Sequence, residues 1–255
     1  MKDLEKAVLE SEERFVLMFS NPIQIIRDGI IRYEDSLLPD MYDHNFTCAK
    51  GLITQEDLAV LETLRTERKE AHLKIESPQK QDILIKNGFE EELIHTMLKA
   101  DDTFRFPQNK DLSFSSFKKQ PDLMRQVVEL EVLYYGPSYG EDFCRRRWKR
   151  YADKAADDPR LDIVFALSKQ EEVVGYCYIF DDGAVTALDA LFVIPSMRHR
   201  YVASTLLKHV RQACLHPLYL HASEEETSKD MYSKLGFSYV SKRYEYLKLF
   251  PEDKR

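Results

Sequence analysis

The stretch VIPSMRHRYVASTLL, from Val193 to Leu207, carries the chain's clearest chemical signal. It reads as a strand stopped by Pro195, a short basic turn and the start of a helix. The first N–H groups of a helix have no partner within it, and the helix dipole adds roughly half a positive charge there. Such a junction can hold a phosphate. The turn from Met197 to Ser204 contains no glycine, however, so side chains stand where a phosphate loop usually bares its backbone. Arg198 and Arg200 supply positive charge in compensation. A solvated, basic helix start is the alternative reading. Two further residues have acid–base chemistry. Asp189 is the only acid within TALDALFVIP, and a charge in an apolar strand needs a reason. Strand alternation places it on one face with Leu191 and Val193. His221 stands on the next strand, LYLHAS. Either group can take a proton from a nucleophile, directly or through water. Each also has a plainer reading: Asp189 as a solvated strand position, His221 as a satisfied core histidine.

The periodicity from about Asp111 lays out the elements that must hold these residues. DLSFSSFKK reads as a strand. PDLMRQVVELEVLYYG, Pro121 to Gly136, reads as a helix with its proline in the first turn. GEDFCRRRWKRYADKAADDP is a second helix that ends before Pro159. Three strands follow: LDIVFALSKQ, Val173 to Phe180, and TALDALFVIP. From Tyr201 the period changes, and Val202, Leu206, Val210 and Ala213 fall on one helical stripe that ends before His216 and Pro217. LYLHAS is a short strand, EEETSKDMYSKLG a helix closed by Gly236, and FSYVSKRYEYLKLF a last alternating strand. The order β-α-α-β-β-β-α-β-α-β implies an α/β fold of the α+β kind, a mixed sheet flanked by helices.

The first hundred residues echo this order. DILIKNGFEEELIHTMLK overlays DMYSKLGFSYVSKRYEYLK, matching Asp82 with Asp230, Lys86 with Lys234, Gly88 with Gly236 and Phe89 with Phe237. Each unit follows a short strand, HLKIES or LYLHAS. ITQEDLAVLETLRTERKEA takes the place of the Tyr201 helix, and Thr54 with Asp57 gives it a capping-box start. An internal duplication is the expectation, with 1–102 as a partial first domain, 103–110 as linker and 111–255 as the second domain.

The second half resembles the GNAT family, the acetyl-coenzyme A-dependent N-acetyltransferases. Three landmarks in order carry the resemblance: LFVIPSMRHRYVASTLL, similar to the family's strand, V-x-P, [Q/R]-x-x-G-x-[G/A] turn and helix; LYLHAS; and MYSKLGF, similar to the family's Y-x-K-x-G-F segment. It implies a mostly antiparallel sheet and a cofactor site along Leu191, Phe192 and Val193, where the family's strand parts from its neighbour, and then Arg198, His199, Arg200, Tyr201, Val202, Ala203 and Ser204. Arg198 takes the family's Q/R place and Ala203 the last G/A place, while Tyr201 stands in the place of the family's glycine. Tyr232 falls on the tyrosine that protonates the departing thiolate in many members. Ser223 replaces an asparagine common after this strand and is a further cofactor contact. The resemblance also implies direct attack of a primary amine on the thioester, with Asp189 or His221 assisting its deprotonation. The first half has Leu84 where Tyr232 stands and an acidic helix start where the basic turn stands, so it reads as a non-catalytic unit. In the family, the helices before the second strand line the acceptor entrance. Trp148 and the Tyr134–Tyr135 pair would be its aromatic walls or part of the core. A catalytically silent acyl-coenzyme A-binding or interaction module is the competing reading.

Composition narrows the remaining classes. The chain has 255 residues, 44% hydrophobic and 32% charged, within the soluble globular range. No apolar run approaches the roughly 20 residues a membrane helix needs, and MKDLEKAVLESEERF is no secretion signal. The net charge of -7 argues against broad nucleic-acid binding. The basic run Arg145 to Arg150 sits among Glu141, Asp142 and Asp153 and reads as a solvated helix face. Cys48, Cys144, Cys177 and Cys214 form no C-x-x-C pair, which points to reduced thiols in a cytoplasmic protein rather than to a metal site. The expected partners are acetyl-coenzyme A and an amine, with no metal, nucleic acid or membrane, in a monomer or homodimer.

Overall fold

Alternating strands and amphipathic helices form where the periodicity places them, and the chain groups them into two units. A computed structural model describes residues 2–225 and 228–250. One unit comprises Met1–Glu12, Met97–His221 and Asp230–Val240; the other comprises Glu13–Thr96, Ala222–Lys229 and Ser241–Arg255. No single cut in the chain separates them. The last strand begins in one unit and ends in the other.

The first unit holds β6 (Ser113–Ser116), α4 (Met124–Tyr139), α5 (Glu141–Asp157), β7 (Leu161–Leu167), β8 (Val173–Asp181), β9 (Thr186–Val193), α6 (Val202–Ala213) and most of β10 (Leu218–Ser223). Its strands run β10-β9-β8-β7-β6, antiparallel except for β9 with β10. Alternation decides which strand residues turn inward, so Tyr176 and Tyr178 share one face of β8. Helix α5 covers that face. Its buried residues Cys144, Trp148, Tyr151 and Ala155 recur at helical spacing, and Trp148 stands edge-on to Tyr176 at 5.1 Å while Tyr151 stacks on Tyr178 at 4.8 Å. Trp148 is fully buried and belongs to the core. Helix α6 covers the other face through Val202, Leu206, Leu207 and Val210. Helix α4 runs three residues past Gly136 and contains Pro137. The turn into α5 comes at Gly140, at φ 89, a value that favours glycine.

The second unit repeats the later half of this order. Strands β1 (Asn21–Arg27), β2 (Ile30–Glu34) and β3 (Phe46–Ala49) form a meander. Then come α2 (Gln55–Arg68), β4 (His72–Ser77), α3 (Asp82–Lys86) and β5 (Glu90–Lys99). β3 and β4 pair in parallel across α2, as β9 and β10 do across α6. After β10 the chain forms α7 (Ser228–Lys234) and β11 (Ser238–Leu249), matching α3 and β5. Gly88 and Gly236 close the two short helices at φ 81 and 88. From Tyr244 to Leu249, β11 pairs antiparallel with β4. Leu58, Leu61, Leu73, Ile75, Leu84 and Tyr246 are among the residues that form this unit's core. α1 (Lys2–Phe19) precedes both strand systems.

The four cysteines are free thiols, and burial pushes each one's pKa up. Among the described residues, no helix is long and apolar enough to cross a membrane, and no group of three or more His, Cys, Asp or Glu could hold a metal. The basic run on α5 is paired with acids: Arg145 with Glu129, Arg146 with Asp142, Lys149 with Asp153.

Candidate active site

The turn ahead of α6 keeps a backbone that its residue types do not favour. His199 has φ 58, and Tyr201, the helix N-cap, has φ 61 and ψ 19. The left-handed region costs an L side chain roughly 1–2 kcal/mol, and glycine is its usual occupant. Hydrogen bonds hold the strain. The Tyr201 carbonyl accepts from the Thr205 N–H at 3.0 Å, the Thr205 hydroxyl at 2.5 Å and the Ser204 hydroxyl at 3.2 Å. Asn109 donates its amide to the Arg200 carbonyl and its backbone N–H to the Thr205 hydroxyl. Arg198 Nε donates to the Val193 carbonyl at 3.2 Å. Because α6 starts at Val202, the N–H groups of Val202, Ala203 and Ser204 have no helical carbonyl four residues back. They form the positive end of the helix. Arg198, His199 and Arg200 are exposed beside it, and the Tyr201 ring is 51% exposed.

Strand β9 leaves its neighbour just before this turn. Its parallel pairing with β10 spans Thr186 to Leu188, against Leu218 to Leu220, while β9 continues to Val193. Beyond Leu188 the β9 backbone carries a bulge. Tyr178 pairs with Asp189 and Tyr176 with Phe192, so Ala190 and Leu191 together oppose Cys177. Ala190, at φ 51, takes the conformation that absorbs the extra residue. The bulge corrects the alternation read from sequence: Asp189 shares its face with Phe192, not with Leu191 and Val193. Opposite Val193, Gly175 leaves no room for a side chain. A Cβ there would stand 2.9 Å from the Phe192 carbonyl oxygen.

The two candidate bases lie on this one face. Tyr219 pairs with Ala187, so His221 and Asp189, each two residues on, face the same way at the point where the strands part. The Tyr178 hydroxyl donates to Asp189 Oδ2 at 2.7 Å, and the Ala190 N–H to Oδ1 at 2.6 Å. Burial, and then Asp189, push the Tyr178 phenol well above its ordinary range. It is therefore a proton donor at neutral pH, and Asp189 remains an exposed acceptor. His221 Nε2 lies 2.6 Å from Glu12 Oε1. Deeper on the same face, Tyr176 donates to buried Glu131, which Arg147 also holds at 2.7 Å.

Residues 124–237 match the model of the acetyltransferase (GNAT) family. This segment is a GNAT acetyltransferase domain. No curated protein matches the chain significantly. Among solved structures, the chain is similar to a functionally unknown conserved protein from Staphylococcus epidermidis, at TM-score 0.78 and 17% identity, over 91% of this chain and 95% of that one. A GCN5-related N-acetyltransferase from Kribbella flavida superposes at TM-score 0.65 and 11% identity, over 96% and 94%. A tandem GNAT protein from the clavulanic acid biosynthesis pathway does so at 0.55 and 11%, over 88% and 79%. At these identities the likeness is one of fold.

Within the GNAT domain, the sequence-derived residues fall into two sets. Leu191 to Val193 and Arg198 to Ser204 form one continuous strand–turn–helix junction, and Asp189 and His221 stand at the strand parting. The remaining two are Tyr232 and Ser223. Tyr232 is buried on α7 with its ring 5.8 Å from Phe237. Ser223 is buried and accepts from the Glu225 N–H. Sequence reading missed Tyr178, Glu131 and Glu12. The pair of tyrosines in GYCYIF and the lone acids in VVELEVLYY were readable signals for the first two. Glu12 gives no local signal, being 209 residues from its partner.

The corresponding junction of the second unit is closed. Thr54 and Asp57 form a capping box at the start of α2, and Asp57 also accepts from Arg27 at 2.9 Å. Bonding to Arg27, against the opposing effect of burial, lowers the Asp57 carboxyl below its usual value. A charged carboxylate sits where an anion would bind.

Proposed function

We propose that the GNAT domain transfers an acetyl group from acetyl-coenzyme A to a primary amine. The supporting observation is the turn from Arg198 to Ser204. It holds a glycine-type backbone at Tyr201 at the cost of strain and presents free N–H groups at a helix start. The residues fit the group: Val202, Ala203 and Ser204 N–H with Arg198 and Arg200 for the pyrophosphate, and the β9 backbone from Leu191 to Val193 for the pantetheine arm. Acetyl-coenzyme A would supply an activated thioester. Asp189, held by Tyr178, accepts a proton from the ammonium; His221, paired with Glu12, is the second base. Tyr232 returns a proton to the thiolate. The first half, residues 1–102, is a degenerate copy that does no chemistry.

The burial of Tyr232 favours the second reading, a silent acyl-coenzyme A-binding module. Tyr232→Phe separates the two. The transferase reading expects turnover at neutral pH to fall about 100-fold, the lower range for a lost general acid, with coenzyme A binding retained. Unchanged turnover removes Tyr232 as the acid, and coenzyme A binding without turnover on an amine panel by the unmodified protein establishes the silent module.

A further inference from the structure

We infer that the amine acceptor carries an aromatic ring, or a comparably large flat apolar group, close to its amine. This rests on the transferase reading above. Phe192 lies on the same face as Asp189 and is the hub of a run of rings. Tyr134 stands 5.5 Å from it, Tyr135 5.8 Å, and Tyr176 stacks on it at 5.1 Å. Tyr135 leads to Tyr139 at 6.3 Å and Tyr139 to Phe143 at 6.1 Å. Core packing accounts for Tyr176 and Phe192, which are buried. It does not account for Tyr134 and Tyr139, which are 38% and 48% exposed on the last turns of α4. Solvated rings in a connected row, continuous with a buried ring, form an apolar wall with one end open.

The buried end of that wall is held by hydrogen bonds before any ligand arrives. Glu131 holds the Tyr176 hydroxyl on one oxygen and Arg147 on the other, so the ring beneath Phe192 has a set orientation. Burial, followed by the nearby Glu131, raises the Tyr135 phenol, so it stays neutral. Preorganised aromatic surfaces bind flat partners with little ordering cost. At the other end of the same face, Asp189 is an exposed carboxylate three residues from Phe192, matched in charge to an ammonium. The arrangement therefore offers charge at one point and stacking beside it. A short aliphatic amine would use only the charge. An aminosugar would set its hydroxyls, rather than a flat apolar face, against these rings.

The test measures coenzyme A release with 2-phenylethylamine, ethylamine and glucosamine, and calorimetric binding of 2-phenylethylamine in the presence of free coenzyme A. The expected result is kcat/KM at least 10-fold higher for 2-phenylethylamine than for ethylamine, the scale of discrimination an apolar site gives. In the double variant Tyr134→Ala, Tyr139→Ala this ratio should move towards one, while Tyr139→Phe should preserve it. A ratio near one in the unmodified protein, or a preference for glucosamine, overturns the inference and leaves the transferase reading standing. Binding of 2-phenylethylamine without acetyl transfer supports the acceptor inference and overturns the transferase reading. Neither binding nor transfer overturns both.

Discussion

Tyr201 concentrates the argument at the residue scale. Its ring type says nothing about φ, so the sequence presents it as an obstacle to phosphate binding. The structure shows instead that the backbone at this position is the one glycine would adopt, held by three bonds to one carbonyl. A paired comparison isolates that strain. Tyr201→Ala and Tyr201→Gly both lose the ring, but only alanine keeps a Cβ in the left-handed region. The glycine variant should be more stable than the alanine variant by about 1 kcal/mol, measured by chemical denaturation. Equal stabilities would mean the turn is not strained as described. In the sequence Asp189 stands out as a lone acid in an apolar strand, whereas its partner Tyr178 does not, because a tyrosine in a strand has an ordinary core explanation.

At the element scale the order of strands and helices is readable, since the strands of the second half are short apolar runs bounded by turn residues and each helix ends near a proline or glycine. The bulge in β9 is not. Alternation counts one face change per residue, whereas Ala190 adds a residue without a partner and moves Phe192 onto the face of Asp189. The parting of β9 from β10 was likewise expected only through the family resemblance, because backbone pairing leaves no side-chain pattern. Gly175 provides the check. A methyl there meets the Phe192 carbonyl at 2.9 Å, as well as Val202 and Val193. Gly175→Ala should destabilise the protein by on the order of 1–3 kcal/mol, the usual cost of overpacking, and should weaken coenzyme A binding by shifting β9. A variant of unchanged stability and affinity would show that the bulged segment is not held in place by this close approach.

On the scale of the whole molecule, the similar order of elements in the two units is readable from the sequence, while the course of the last strand is not. β11 alternates normally, and nothing in its residues announces that its second half pairs with β4. The two units also differ in what their helix starts can do. The α6 start leaves its N–H groups open beside exposed arginines, whereas the α2 start is filled by its own Asp57 and by Arg27. The chain as a whole should therefore bind one coenzyme A, through the phosphates. Isothermal titration with coenzyme A and with pantetheine, which lacks the pyrophosphate, tests this most directly. The prediction is one coenzyme A per chain, with pantetheine bound at least about 10-fold more weakly, a difference of roughly 1.4 kcal/mol. No heat with coenzyme A at millimolar concentration, or equal affinity for the two ligands, would contradict the assignment of the Arg198 to Ser204 turn.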